Sequence, residues 1–412
     1  MTSKSSSSTH DLLSRPILDL VPLGAFKQAS LIVFLLAVSG GLWQFVDIRA
    51  EKLGWIAADA TVFVQFLRRP GEFIDLCRRA PIFALWPLLA CLSATWSPDF
   101  GFTLYQGVQL WLTVFASFLI CIEMRLQKVI EAVFVAMTIA AVIVFVTCVL
   151  RPDLGIDDAN CWRGGFTTKN VMGDAMVLLV ISAACLILCR RWMLIAAASM
   201  CLGLFLILMS RSATPLLSLI LTLAPIPIMA AYILGRRKFM ATTGIGLILA
   251  SVAAAIIFIA REYANVNLID DVLAMVGKER TLTGRTVLWA LADEAIRHNP
   301  WYGMGFKGYW VNPPAGMLEV RKAFGADLFF FHNNYLEVAV AYGIMGSAAL
   351  IIGIASAFWL SLVRLLRQPS MLSIWPLLIV IQVLIQTFVQ YPLMVNHSPW
   401  QVIFVVAALV RI

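Results

Sequence analysis

Long apolar runs separated by short polar connections make up most of this 412-residue chain. A helix that crosses the roughly 30 Å hydrocarbon core of a bilayer needs about 20 mainly apolar residues. Runs of this kind occur near residues 29–46, 80–96, 104–121, 129–150, 171–189, 192–210, 214–234, 239–260, 334–361 and 374–391. Two shorter runs, near 53–67 and 399–411, raise the expected number of transmembrane helices to about twelve. The pattern predicts an all-α polytopic membrane protein.

Two polar segments interrupt the apolar pattern and divide the chain. Residues 1–28 begin Ser-rich and lack the order of a cleavable signal peptide, so we expect a disordered cytoplasmic tail. Residues 261–333 form the one long polar loop. The predicted organisation is therefore a tail, an N-terminal bundle of about nine spans over 29–260, the long loop, and about three C-terminal spans over 334–412.

The long loop has internal patterns of its own. Its apolar residues are spaced as on one face of a helix from Arg285 to His298, with Thr283 as the N-cap and Pro300 beyond the end. The next ten residues, 301–310, alternate aromatic side chains with glycine. Such a segment predicts a turn at the membrane interface whose backbone approaches a neighbour closely.

Composition excludes the soluble classes of protein. The chain is 61% hydrophobic and 13% charged, whereas soluble domains are about 45–50% apolar and about 25% charged. A soluble enzyme, a nucleic-acid-binding protein and a disordered protein are all excluded. The eight cysteines lie mostly inside apolar runs without CxxC spacing, so neither a disulfide framework nor a cysteine metal site is expected.

The net charge of +8 becomes informative when the basic residues are located. Lys and Arg concentrate in the cytoplasmic loops of membrane proteins. The most basic short loop, 235–238, is therefore expected inside the cell, together with both termini. Alternation of the spans then puts the loop 261–333 outside. Basic residues on that outer side oppose the trend, and Arg163, Lys169 and Arg211 stand out because their local sequence is unusual.

Two arginines are candidate anion-binding residues. Arg211 lies in a very short outer hairpin, where we expect it to point into the bundle or a cavity and to bind an anion; simple snorkelling to the interface is the alternative. Arg285 stands at the N-terminus of the loop helix, where a cation opposes the helix dipole. A bound anion would resolve that conflict, and an ordinary surface arginine remains the alternative.

His332 is the candidate general base. It lies where the long loop re-enters the membrane, and its ordinary pKa is close to working pH. The alternative is an interfacial histidine hydrogen-bonded to Asn333 or to a backbone carbonyl.

Arg163 and Lys169 flank a Gly-Gly pair on the same side of the membrane. One phosphorylated lipid substrate would account for all of these motifs together.

These motifs follow one another in a recognisable order, namely Leu92–Asp99, Gly164–Phe166 with Lys169–Asn170, Ser210–Ser212, Gly284–Arg285 with Trp289, Asn299–Pro300 with Gly303–Gly305, His332–Asn333 with Leu336–Glu337, and Tyr342–Gly343 with Gly346. In this respect the chain resembles the O-antigen ligase and Wzy-type polymerase superfamily, especially its exopolysaccharide polymerase branch. The resemblance covers about residues 80–350 and includes the position of the long loop.

The resemblance implies a GT-C-like glycosyltransferase of the bacterial inner membrane with a periplasmic active site. Such an enzyme transfers a glycan from undecaprenyl diphosphate to an acceptor hydroxyl without a metal or other cofactor. By position, Arg211 and Arg285 would bind the donor diphosphate and His332 would activate the acceptor. Arg163, Lys169 and Asn333 are possible further substrate contacts.

Three functions follow from the sequence as hypotheses. The first is a polymerase that joins lipid-linked repeat units of an exopolysaccharide or O-antigen, and the second is an O-antigen ligase that transfers the glycan to lipid A–core. Both need a lipid-diphosphate-linked donor, a glycan or lipid A–core acceptor and membrane lipids, and neither involves nucleic acid. The third is a secondary transporter, which the Pro225–Pro227 break would suit, although the two halves of the chain are unlike and mid-span acidic residues are few.

Overall fold

The computed structural model describes residues 48–235, 285–324 and 330–411, together with Ile32, and within these ranges it contains helices and no β-strand. The all-α fold class is therefore confirmed for the described part of the chain. Outside it lie the expected tail 1–28, most of the apolar run near 29–46, the run near 239–260, the first part of the long loop and Thr283. The division of the chain at 260 and 333 stays a prediction.

The helices follow one another in the order α1 Ile48–Arg68, α2 Pro70–Arg79, α3 Pro81–Leu92, α4 Phe100–Glu123, α5 Leu126–Leu150, α6 Pro152–Gly155, α7 Lys169–Leu188, α8 Met193–Met209, α9 Ala213–Leu223, α10 Ile226–Leu234, α11 Arg285–His298, α12 Gly308–Val311, α13 Ala315–Phe324, α14 Asn334–Arg367, α15 Ile374–Thr387 and α16 Pro399–Leu409. Short 3₁₀ helices cover Ser93–Trp96 and Met371–Ser373.

Five helical segments of the described ranges are long and apolar enough to cross a membrane: α4, α5, α7, α9 with α10, and α14. A sixth candidate is α2 with Pro81–Trp96, which bends by 102° at the break between its halves. Proline disfavours helical backbone in the residue before it, so α2 ends at Arg79, Ala80 is not helical, and a new helix begins at Pro81. The helices α8, α15 and α16 are shorter apolar helices, and the total of twelve spans stays a prediction.

One end of the helix bundle is rich in basic side chains. The Leu126 N–H donates to the Arg411 carbonyl at 2.8 Å, which joins the start of α5 to the chain just after α16. Glu131, only 2% exposed, accepts from Lys128 at 2.9 Å and from Arg191 at 3.0 Å, so this buried carboxylate is paired. We call this the basic end, and its cationic residues are Arg125, Lys128, Arg190, Arg191, Arg364, Arg367 and Arg411.

The opposite end, which we call the site end, contains the start of α7, the α8–α9 connection and the start of α14. The Trp162 N–H donates to the Met209 carbonyl at 3.1 Å, and the Ser212 hydroxyl donates to Asn170 Oδ1 at 2.6 Å. The motif residues Lys169, Arg211 and His332 therefore lie at one end of the bundle, as their predicted sidedness requires.

The Gly–aromatic segment 301–310 inserts into a break in α14. Gly343 has φ +63° and ψ −149°, which interrupts the helix, and the Met304 N–H donates to the Val340 carbonyl at 2.8 Å. A Cβ on Gly343 would come within 2.4 Å of the Trp301 backbone. The expected close backbone approach is confirmed, and its partner is the transmembrane helix α14.

A small apolar cluster attaches the loop helices to the bundle. Side chains of α11 (Leu288, Ala292), α12 (Tyr309) and α13 (Met317) pack with Phe331 and Val340 at the start of α14. Burial of such side chains contributes about 1.5–3 kcal/mol each. The α11 helix begins at Arg285 and ends at His298, as its amphipathic spacing predicted, and the cluster fixes it beside His332.

Candidate active site

His332 lies in the short segment between Phe330 and the start of α14. Its backbone has φ +53°, a left-handed conformation that costs non-glycine residues about 1–3 kcal/mol. The imidazole is half-buried, and its Nδ1 atom is buried with no hydrogen-bond partner among the residues that the structure describes. A strained backbone and an unused nitrogen are both features expected of a residue placed for chemistry.

The Asn333 side chain caps the helix that follows it. Its Oδ1 accepts from the backbone N–H groups of Tyr335 at 2.9 Å and of Leu336 at 3.2 Å, which makes it the N-cap of α14. Its amide nitrogen donates to the Phe388 carbonyl at 3.4 Å. The Asn333 side chain is therefore engaged in positioning α14 against the end of α15.

Arg285 and His332 lie near each other although 47 positions separate them in the sequence, because Trp289, one helical turn after Arg285, donates to the Phe331 carbonyl at 3.0 Å. Burial and the nearby positive charge of Arg285 lower the pKa of His332 to about 4, while a hydrogen bond with the Gln390 side chain opposes the shift. Burial also lowers the pKa of Arg285, which remains a cation. At neutral pH the site therefore combines a fixed positive charge with a neutral imidazole that can accept a proton.

We call Arg285 and His332 the first group of site residues, and Arg211 belongs to a second group at the site end. It has φ +48° and lies exposed on the α8–α9 connection, so its side chain is not packed inside the bundle, whereas the other expected placement, in a cavity, stays a prediction. The neighbouring Ser210 is buried and donates to the Ile207 carbonyl at 2.6 Å, and Ser212 binds Asn170 of α7. These serines anchor both sides of Arg211 and leave the guanidinium at the surface of the site end.

Arg163 and Lys169 lie in the same second group. The Arg163 and Gly164 N–H groups both donate to the Gly155 carbonyl at 2.9 Å, which folds the Gly-Gly turn onto the end of the short helix α6. The Lys169 ammonium donates to Cys161 Sγ at 3.1 Å. The Lys169 side chain is therefore bound to its own loop.

Sequence reasoning missed a polar network beside the first group. The Lys307 ammonium donates to Gln106 Oε1 at 3.0 Å, and the Asn396 amide donates to the same oxygen at 2.8 Å and to Gln109 at 2.7 Å. Burial lowers the pKa of Lys307 to about 8, while the negative charge of Glu337 opposes this. The available signal was two glutamines three residues apart in an otherwise apolar run, which places both on one face of α4.

A second histidine pair was also missed. His397 Nε2 lies 3.2 Å from Asp59 Oδ2, and the imidazole stacks on Trp55 with ring centroids 4.1 Å apart. The signal was the single carboxylate in the weak apolar run near 53–67, since an acidic residue in such a run needs a partner. This pair ties α1 to the connection before α16.

The fold and the site define a multi-pass, all-α membrane protein with a neutral histidine beside an arginine at one end of its bundle. A family model described as O-Antigen ligase matches residues 198–351, a range that contains Arg211, Arg285 and His332. The exopolysaccharide production protein ExoQ of Rhizobium meliloti (strain 1021) is 29% identical over 363 residues, which cover 84% of this chain and 78% of that protein. Both findings confirm the resemblance to the O-antigen ligase and Wzy-type polymerase superfamily.

Proposed function

We propose that this protein transfers a glycan from undecaprenyl diphosphate to an acceptor hydroxyl on the periplasmic side of a bacterial inner membrane. The observation that carries the proposal is the juxtaposition of Arg285 and His332, a cation suited to a phosphate group beside an imidazole that is neutral at working pH. The family similarity supports a membrane glycosyltransferase of the ligase or polymerase type.

In the proposed reaction the acceptor hydroxyl oxygen attacks the anomeric carbon of the donor glycan, and the bond from that carbon to the diphosphate oxygen breaks. The hydroxyl proton passes to His332, whose Nδ1 has no hydrogen-bond partner in the described part of the chain. The electron pair of the broken bond leaves with undecaprenyl diphosphate. The proton then passes from His332 to the departing diphosphate or to water, which restores the neutral base.

The leaving diphosphate needs positive charge, which Arg285 and Arg211 would supply. Fixed cations in a site with little water stabilise such developing charge strongly. Two arginines can therefore take the part that Mg²⁺ plays in many diphosphate reactions, and metal independence is part of the proposal. The exposure of Arg211 at the site end supports contact with a lipid-borne group that arrives along the membrane surface.

Donor binding would also activate the base. In the free protein the charge of Arg285 contributes to the low pKa of His332. A diphosphate bound to Arg285 neutralises that charge, so the imidazole becomes more basic when the donor is in place. Proton abstraction is then favoured only when the donor is in place.

A polymerase is the favoured form of this function, because the relative that covers most of the chain is an exopolysaccharide production protein. The O-antigen ligase remains the second candidate, since it gives the matching family model its description. Neither comparison points to a transporter. The two candidates differ only in the acceptor, so the product of the reaction distinguishes them.

The proposal is tested with purified protein in nanodiscs and the undecaprenyl-diphosphate-linked glycan extracted from membranes of the source organism. We expect release of undecaprenyl diphosphate and a ladder of lengthened glycans; transfer to added lipid A–core instead would identify a ligase.

His332→Ala should reduce the rate about 100- to 10,000-fold. His298→Ala, at the exposed end of α11, is the matched control and should leave the rate unchanged. Full activity of His332→Ala contradicts the mechanism, and loss of wild-type activity with EDTA contradicts its metal-free form.

A further inference from the structure

The backbone of Phe331, the residue before His332, is held on both sides by side chains. Its N–H donates to Glu337 Oε2 at 3.0 Å, and its carbonyl accepts from Trp289 Nε1 at 3.0 Å. Glu337 lies on α14, whereas Trp289 lies on α11, four residues after Arg285. One backbone unit therefore connects the helix that begins with Arg285 to the helix that follows His332.

Glu337 is itself fixed by a second donor. Trp310 Nε1 donates to Glu337 Oε1 at 2.5 Å, so each carboxylate oxygen accepts one hydrogen bond. The side chain is buried, with 5% of its surface exposed, and the Lys307 ammonium supplies the nearby positive charge. We call Trp289, Trp310, Phe331 and Glu337 the Phe331 cluster.

The left-handed backbone of His332 needs such support. A non-glycine residue keeps a positive φ only when its surroundings determine its conformation. The direction of the imidazole depends on the orientation of the peptide between Phe331 and His332. Fixing both polar groups of Phe331 fixes that orientation, and it also fixes how far His332 lies from Arg285.

We propose that Glu337 and Trp289 are positioning residues for the transfer reaction, because they hold the Phe331 backbone and thereby place His332 against Arg285. This inference rests on the proposed function, in which His332 accepts the acceptor proton. Neither residue needs to touch the substrate. Their contribution is geometric, and a displacement of about 1 Å in a catalytic group can cost about 100-fold in rate.

The proposal requires a carboxylate at position 337. A carboxylate can accept from two donors, whereas an amide offers one acceptor oxygen and two donor hydrogens. In Glu337→Gln the amide nitrogen must face the N–H of either Trp310 or Phe331. Removing the indole donor with Trp310→Phe relieves this conflict, because the amide oxygen is then free to accept from Phe331 alone.

The test measures kcat, KM for the lipid-linked donor and the pH dependence of kcat/KM, with the nanodisc assay and the extracted donor described above. Glu337→Gln should lower kcat about 100-fold and change the donor KM little. The acid limb of kcat/KM should also move from near pH 4 toward the ordinary histidine value of 6.5, because a released His332 becomes hydrated and moves away from Arg285. In the Trp310→Phe background the same substitution should cost less than about 10-fold.

Ser347→Ala and Trp359→Phe are the matched controls, since both residues lie on α14 away from Phe331. Unchanged kcat and an unmoved acid limb in Glu337→Gln overturn the proposal. Lower kcat with an unmoved limb also overturns it, because a general loss of folded protein has that signature. If Glu337→Gln does not accumulate, Trp289→Phe carries the same test with the same expected shift. Failure of the proposed function has a different signature, namely an active His332→Ala variant.

Discussion

At the scale of single residues, backbone strain concentrates at the site end. Eight non-glycine residues of the described ranges have positive φ, and of these only Arg190 and Trp192 lie at the basic end. Arg211 and His332 are among the others, at the two positions expected to bind and activate substrate. Such strain persists only where packing enforces it, and it gathers at functional sites. The buried serines beside Arg211 and the Phe331 cluster beside His332 supply that packing.

Because the charge of Arg285 lowers the pKa of His332, we expect the acid limbs of kcat/KM and of kcat to lie at different pH values. His332 must be neutral to accept a proton, so activity falls as pH drops through its pKa. In the free protein that value is about 4, which should set the acid limb of kcat/KM. A diphosphate on Arg285 should raise the pKa, so the acid limb of kcat should lie at higher pH.

Steady-state kinetics between pH 3.5 and about 8 measures both limbs, and His298→Asn serves as the control that leaves them in place. A kcat/KM limb near 6.5, the ordinary value for histidine, would mean that the imidazole is hydrated and distant from Arg285. Coincident limbs would argue against activation of the base by the donor.

At the scale of elements, the decisive feature is the interrupted helix α14. The loop after α11 donates its backbone N–H groups to α14 carbonyls, and Gly343 provides the break. This arrangement keeps the loop helices close to α14, which begins two residues after His332. A glycine is required because φ +63° with ψ −149° is essentially closed to other residues and because the Trp301 backbone leaves no room.

Gly343→Ala should therefore destabilise the protein by about 3 kcal/mol or more, since strain and overlap act together. The added Cβ would lie 2.4 Å from the Trp301 carbonyl carbon, so the loop must move away from α14. Gly71→Ala is the control, because nothing lies within 4 Å of a Cβ there. Thermal unfolding in detergent measures both variants. Equal melting temperatures would contradict the assigned role of Gly343.

The sequence predicted the elements better than their interruptions. The helix Arg285–His298 was predicted with its observed bounds because amphipathic spacing is a local property. The break at Gly343 was not predicted, since it depends on backbone donors about 40 residues earlier in the chain. The bend of 102° between α2 and Pro81–Trp96 was likewise not predicted.

At the scale of the whole molecule, the bundle has two ends of different chemistry. The basic end pairs the buried carboxylate of Glu131 with Lys128 and Arg191, and basic ends of membrane proteins face the cytoplasm. The site end combines amides and histidines with the cations Arg163, Lys169, Arg211, Arg285 and Lys307. With the basic end inside the cell, the site end lies on the outer side of the membrane, which is the orientation that we propose.

The orientation predicts a labelling pattern. In a cysteine-free background, Arg297→Cys at the site end should react in intact cells with a membrane-impermeant maleimide, because that residue is highly exposed. Arg190→Cys at the basic end should react only after the membrane is permeabilised. Labelling of both positions in intact cells, or the reverse pattern, would contradict a periplasmic site. Denatured samples of both variants control for intrinsic reactivity.

The sequence by itself determined the class of this protein and the identity of its candidate residues. Apolar run length decides whether a segment enters a bilayer, and that property needs no knowledge of distant contacts. The tertiary structure decided which candidates meet. It brought Arg285 near His332, placed Arg163, Lys169 and Arg211 at the same end of the bundle, and revealed Glu337 as the partner of Phe331. These relations arise from the packing of helices far apart in the chain, which hydrophobic periodicity cannot encode.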